Sequence, residues 1–437
     1  MARVVVVGGG FGGTATAARL AKNGHTVTLV ERTDRLGGAV GFLERDGFRW
    51  DTGPTATLLP AVLRDLFRKS GRPLERELDL VPVEPVREHR FEDGTVLALP
   101  SGSRSAQLEA VDASLGGGAG RQWVDHVQTF AEPWDLLRRG YLERPFSADH
   151  LDKATLALLR TRTSLEKVVQ RQLKDKRLRA LALTAAVMDG HEPRNAPAWL
   201  GMLAYVEQNF GVWTVPGGLG ALAAAMTKRL GERRVEVLTG TRAHDVVVRD
   251  GRAVAVSTDA GDLDADVVVC AVDPRTLPAL AGLVARTQPA LPPLVTHVGL
   301  DGDVPALPHE VVLHGPHATL AVRTNGTAPT GGAAWTVLSR GRVEEDVLVA
   351  LARRGLDVRD RVVSRVDRSP RDLVVEHSGS PYGVLWQGRG TLTHRLGTRT
   401  PVDGVYCAGA HVAATTGLPF VGLTAAVVAE QVGTAPR

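Results

Sequence analysis

The residues best suited to chemistry stand at the start of the chain. Gly8, Gly10 and Gly13 form a G-x-G-x-x-G motif, and Glu31 follows 18 residues beyond Gly13. Each residue type at that spacing has a physical task. Gly8 permits a tight turn, and Gly10 lets backbone N–H groups approach a pyrophosphate. Gly13 allows a helix to pack closely on the preceding strand while the N-terminus of that helix faces the phosphates. Glu31 is expected to accept both hydroxyls of a ribose. An acid there repels a 2′-phosphate, so FAD or NAD suits the pattern and NADP does not.

Such a motif works only between a strand and a helix, and the flanking sequence supplies both. Residues 4–7 are four valines in a row, as in a parallel strand buried on both faces. Residues 14–23 have helical composition and are stopped by Gly24, and residues 26–31 form the next apolar strand. From about residue 76 the character changes. A hairpin with an Asp93-Gly94 turn and a glycine-rich loop at 116–120 precede largely helical sequence through Gln208. A second α/β pattern runs from 215 to about 275, and a proline-punctuated middle mixes strands and loops to 389. A strand, a loop and an apolar helix close the chain. The layout predicts a discontinuous nucleotide domain (1–75, 215–275 and 390–437) interrupted by substrate-side sequence (76–214 and 276–389).

Composition bounds the alternatives. At 437 residues the chain exceeds one ordinary core, and 43% hydrophobic with 23% charged residues argues against both disorder and a membrane-embedded protein. No apolar run suits a signal peptide or a spanning helix. Cys270 and Cys407 each end an apolar run and read as reduced core residues of a cytoplasmic protein. The net charge of +4 is unevenly spread, since residues 151–180 hold nine Lys or Arg against three Asp or Glu. The plainer reading is a solvated helical face; the other is peripheral association with an anionic membrane, at its inner face, through a helical part near 130–210. No aromatic residues interleave with these charges, so nucleic acid is not expected as a partner. His309, His314 and His317 lie in a Pro/Gly-rich stretch without a carboxylate or cysteine set and read as a surface loop, with no metal site expected.

Further motifs carry a resemblance. Leu36-Gly37-Gly38 follows Glu31 closely, and Asp51-x-Gly53-Pro54 comes soon after. The whole stretch resembles the FAD signature of the carotenoid (phytoene) desaturase family, grouped with amine oxidases and Rab-escort-like proteins in one flavin fold. The segment ending at Pro216-Gly217-Gly218 resembles the family's central block, residues 378–383 (SGSPYG) its late block, and residues 407–422 its C-terminal flavin-contact motif. These stretches keep the family's order along the full chain. Ala39 stands where the family often has arginine, and the C-terminal motif reads HVAATTGLP where Pro-Gly-Gly is usual.

The resemblance implies an α/β fold, a Rossmann-like FAD-binding domain of the glutathione-reductase type with an inserted mixed α+β substrate domain. It implies FAD as cofactor, held by Gly8, Gly10, Phe11, Gly13, Glu31, Arg32, Gly37, Gly38, Asp51, Gly53, Pro54, Ala243, Gly409, Ala410, Gly417 and Leu418. The helix after Gly417 is expected to aim its N-terminus at the flavin pyrimidine, where the positive dipole end stabilises the reduced anion. The implied reaction moves a hydride from an allylic carbon to flavin N5, with loss of a proton from the next carbon of a long apolar polyene or isoprenoid. A cation spread along a polyene makes that proton acidic, so a strong base is less necessary. Candidates for proton handling or substrate positioning are Glu207, Tyr382 and His377. Amine oxidases of this fold hold a lysine near N5 from late in the chain, whereas the last lysine here is Lys228. An oxidase, saturase or cyclase on another metabolite is the alternative, and a non-catalytic prenyl-binding protein a more distant one. Oxygen, a quinone and NAD all suit the role of electron acceptor, and the sequence leaves the oligomeric state open.

Overall fold

Residues 4–7 are buried along their whole length, as a strand covered on both faces requires. The structure is a computed structural model and describes residues 1–145 and 151–436. In it the strand Arg3–Val7 is the middle strand of a parallel sheet, flanked by Thr26–Val30 and Val267–Cys270 and then by Glu236–Leu238 and Val405–Cys407. Three stretches far apart in sequence therefore build one sheet. Cys270 and Cys407 lie in register on neighbouring strands, both buried and both free thiols.

The helix Phe11–Lys22 packs on this sheet with ten of its residues buried, among the helices Ala221–Glu232 and Leu418–Val432. An antiparallel hairpin sheet of Ala243–Arg249, Arg252–Thr258 and Gly261–Asp264 attaches alongside. The second large layer is a seven-stranded sheet, antiparallel except where Glu310–Leu313 runs parallel to Arg87–Arg90. The predicted hairpin at Asp93-Gly94 forms its edge, with Arg87–Arg90 paired to Val96–Leu99.

A helical layer lies over one side, from Arg104–Leu115 to Met202–Phe210. Its core is aromatic, with Trp123, Phe130, Trp134 and Trp199 buried together. Trp199 meets Trp386 edge to face at 5.0 Å, and the Trp386 indole N–H donates to the Ala414 carbonyl at 2.7 Å. The helical layer is thereby fixed to the C-terminal loop. Residues 146–150, which fall inside the stretch expected to face a membrane, lie outside the described residues. No described helix is long and apolar enough to cross a membrane.

Candidate functional site

The first strand ends in the glycine turn, and the turn shows why glycine is needed at two places. Gly8 has φ of +105°, and a Cβ there would stand 2.6 Å from Val272 Cγ1. A Cβ on Gly13 would stand 1.9 Å from the Gly8 carbonyl oxygen, so helix and strand can touch only through a hydrogen. The helix Phe11–Lys22 has no side chain capping its N-terminus and no acid in its first turn. Its free N–H groups and its positive dipole end therefore remain available to phosphate. The second doublet runs alongside, with Gly37 N–H donating to the Gly9 carbonyl at 2.8 Å and Gly10 bridged to Gly37.

Glu31 closes this cradle at the next strand tip. Its Oε2 accepts from the Gly9 N–H at 2.7 Å, and its Oε1 accepts from the Thr33 N–H and hydroxyl, both at 2.8 Å. A carboxylate has about four acceptor positions, so one stays open on Oε2. The Thr33 hydroxyl has a single proton and lies 2.9 Å from the Arg35 carbonyl as well. Turning that proton to Arg35 opens a second position, on Oε1. Accepting both ribose hydroxyls therefore requires Thr33 to switch partner, a condition the motif alone does not disclose.

One continuous cleft runs from this cradle to the seven-stranded sheet. Gly8, Gly10, Phe11, Glu31, Arg32, Gly37, Gly38, Asp51, Gly53, Pro54, Ala243, Gly409, Ala410, Gly417 and Leu418 all line it, and Gly13 packs behind it. Asp51 lines the cleft but spends its carboxylate on the protein. It accepts from the N–H groups of Leu219 at 3.1 Å and Gly220 at 2.7 Å and from the Asn325 amide. Burial pushes its pKa up against those bonds. It clamps the 216–220 turn to the 51–54 segment. The helix Leu418–Val432 opens at Gly417, again without a side-chain cap, and Leu418 reaches the cleft. The glycine cradle, the strand-tip acid and two uncapped helix starts fit a dinucleotide with a charged diphosphate and a second, ring-bearing end.

The three candidates for proton handling all line the cleft but do not meet. His377 sits at the end of the helix Pro370–His377, among Arg32, Arg35 and Glu376 on the Glu31 side, and burial lowers its pKa. Tyr382 lies under the Arg340 guanidinium, 4.7 Å from its ring centroid, and burial raises its pKa. Glu207 gives both oxygens to Arg87 Nη1, at 3.1 and 2.9 Å.

That last contact belongs to a network without a local sequence signal. Arg87 Nε reaches Glu310 at 2.9 Å, and Arg323 Nε reaches the other Glu310 oxygen at 2.8 Å. The two guanidiniums hold the Glu310 carboxyl down at about 2 despite its burial, whereas burial pushes Glu207 up. The parallel register that sets Val311 opposite Glu88 brings Arg87 beside Glu310. His411, within the C-terminal motif, also lines the cleft 3.7 Å from Asp273.

The expected surface loop at residues 309–317 is instead built around a strand. Val311, Val312 and Leu313 are buried in the sheet, His309 turns to Thr55 Oγ1 at 3.2 Å, and His314 meets His89 at 2.9 Å. The apolar run outweighed the proline and glycine punctuation around it. Lys228 pairs with Glu77 at 2.7 Å on the outside of the helix Ala221–Glu232, and no lysine is among the described residues of the cleft.

Comparison with known proteins gives a consistent picture. The profile of a family described as flavin containing amine oxidoreductase matches residues 11–300. A 4,4'-diapolycopene oxygenase of Methylomonas sp is 27% identical over 98% of this chain and 98% of its own length. A zeta-carotene-forming phytoene desaturase of Myxococcus xanthus is 32% identical over 62% of this chain, a match that spans 53% of that protein. A phytoene dehydrogenase of Streptomyces griseus is 31% identical over 71% of this chain and 63% of its own. Among solved structures, a putrescine oxidase bound to putrescine superposes with a TM-score of 0.70 at 17% identity, covering 99% of this chain and 98% of that one. An oxidoreductase from Methanosarcina mazei gives 0.63 at 19% identity, covering 98% and 100%.

Proposed function

From the premise that the chain belongs to the flavin containing amine oxidoreductase family, we propose that this FAD-dependent oxidoreductase desaturates a long apolar polyene or isoprenoid of the carotenoid-precursor kind. FAD bound in the cradle supplies a hydride acceptor. A hydride leaves an allylic carbon, a proton leaves the neighbouring carbon, and a new C=C bond remains in the substrate.

The observation that carries this reading is the chamber beyond the cradle, whose wall includes Met188, Leu203, Val212, Val295, Leu338 and Leu373. Such a wall binds by excluding water and orienting a chain, contributing about 25 cal/mol per Å2 of apolar surface covered. The position of Lys228 outside the cleft argues against amine chemistry, and the names of the three relatives above support a polyene. The Methylomonas relative, matched over 98% of both chains, is named an oxygenase, which favours insertion of oxygen into such a polyene as the second reading.

The glycine cradle and Glu31 serve to hold the adenylate half, and the uncapped helix start at Gly417 serves to face the flavin ring. Glu207 and Tyr382 act on this reading as parts of the chamber wall. His377 belongs with the nucleotide. His411 and Asp273 are the better-placed pair for a proton beside the C-terminal motif.

The decisive test is anaerobic incubation of the yellow FAD-loaded protein with a phytoene-type hydrocarbon in liposomes. Bleaching of the flavin with a product of longer conjugation is expected, and a parallel incubation in air that yields an oxygenated product, its oxygen atom drawn from O2, would favour the second reading. Colourless protein that refuses added FAD, or substrate left unchanged both without and with air, would remove both.

We further propose peripheral association with an anionic, cytoplasm-facing membrane surface, from which such a substrate is drawn. Lys153, Arg160, Arg162, Lys167, Arg171, Lys174 and Lys176 are exposed on the helices and linkers between 153 and 176, and none of them forms an ion pair with an acidic side chain among the described residues.

A further inference from the structure

The lining of the chamber is partly apolar and partly charged, and a plain hydrocarbon suits only the apolar part. The charged wall is the line Glu207–Arg87–Glu310–Arg323, with links of 2.9, 2.9 and 2.8 Å. All four side chains are mostly buried, at 11 to 19% exposed, and all four line the cleft. The line abuts the 51–54 segment of the flavin cradle, since Arg323 Nη1 lies 3.4 Å from the Gly53 carbonyl.

The hydrogen bonds of this line do not balance. Arg87 uses Nε on Glu310 and Nη1 on Glu207, and Arg323 uses Nε on Glu310 and Nη1 on Gly53. Among the described residues neither Nη2 has an acceptor. Both are absent from the atoms sealed inside the protein without a partner, so both keep some exposure, and both side chains line the cleft. Each carboxylate of the line already faces a guanidinium. What the wall offers a ligand is therefore the surplus charge-assisted N–H donors of the two Nη2 groups, which suit an sp2 oxygen. A hydrocarbon pressed against it would strip water from these donors and return nothing.

We infer that the substrate is an apolar chain bearing a carbonyl or carboxylate oxygen, which Arg87 and Arg323 hold through their unpaired Nη2 groups beside the flavin cradle. This rests on the polyene reading and narrows it, because the apolar wall takes the chain and the charged wall sets which end enters.

The test uses FAD-loaded protein and three C15 probes of matched skeleton, farnesene, farnesal and farnesoic acid, with tryptophan quenching as the binding signal. The aldehyde or the acid should bind at least about tenfold more tightly than the hydrocarbon. Which of the two binds better tells a carbonyl from a carboxylate. Arg323→Lys and Arg87→Lys keep the charge but lose the Nη2 donors, and in protein that retains FAD each should bring the preference below about threefold. Equal binding of hydrocarbon and oxygenated probes by the unaltered protein overturns the inference while leaving the polyene reading in place. So does a preference that persists in both FAD-retaining lysine variants. Failure of all three probes to bind removes the polyene reading itself, and this inference with it.

Discussion

The Glu31 carboxylate reaches back 2.7 Å to the Gly9 amide, so the acid that awaits the ribose also braces the turn that awaits the diphosphate. Replacing Glu31 with alanine removes both functions at once. The loss of charge-assisted hydrogen bonds should weaken FAD by about 1.5–3 kcal/mol, or roughly ten- to a hundredfold. Recovery of free-flavin fluorescence on dilution reads this directly, and unchanged affinity would count against the assigned role. Thr33→Val, which frees Oε1 from the hydroxyl of its neighbour, should alter affinity far less.

Packing behind the turn predicts a sharper contrast. A Cβ at Gly13 would meet the Gly8 oxygen at 1.9 Å, whereas nothing lies within 4 Å of one at Gly231. Gly13→Ala should expel FAD and lower stability by about 1–3 kcal/mol through overpacking. Gly231→Ala, on an exposed helical turn, should retain FAD and gain up to about 1 kcal/mol. Thermal melts of both variants with and without added FAD measure the difference.

The contrast reflects what local sequence can carry. The strand, turn, helix and acid at residues 3–31 were legible because each tie in that unit spans few residues. The tie from Arg87 to Glu207 spans 120 positions and that from Arg87 to Glu310 spans 223. Only the sheet register brings those side chains together, and no spacing rule records it. Asp51 was legible as a motif position but not as a clamp, because its partners at Leu219 and Gly220 lie on another segment. The strand at Glu310–Leu313 was obscured by its Pro/Gly-rich flanks although its valines pointed to a sheet.

Charge on the helical layer predicts a salt-sensitive contact with lipid. Each cation near an anionic surface contributes about 1 kcal/mol and acts within about a Debye length. The protein should sediment with vesicles containing phosphatidylglycerol at low salt and not with purely zwitterionic ones. Reversing Lys167, Arg171 and Lys174 to glutamate should abolish sedimentation with FAD content unchanged. Equal binding to both vesicle types would show that these cations are merely solvated.

The buried line of charges predicts how the protein responds to acid. Glu310 is held at about 2, below its ordinary 4.5, by Arg323 and Arg87. A carboxyl whose folded pKa is depressed adds stability that is complete above the unfolded value and is lost as pH falls from about 4.5 toward 2. Glu207 is raised by burial, so its protonation favours the folded state and works in the opposite sense. Glu310→Gln leaves Arg87 with Glu207 alone and Arg323 bonded to no carboxylate, and should cost about 3–5 kcal/mol at neutral pH. Glu207→Gln, which leaves Glu310 between both arginines, should cost clearly less. Urea midpoints from neutral pH down to about pH 3 should show the acid-side loss in the parent protein and a flatter slope in Glu310→Gln. The same slope in both proteins would mean that other carboxylates carry the acid response and that Glu310 is not held down by its arginines.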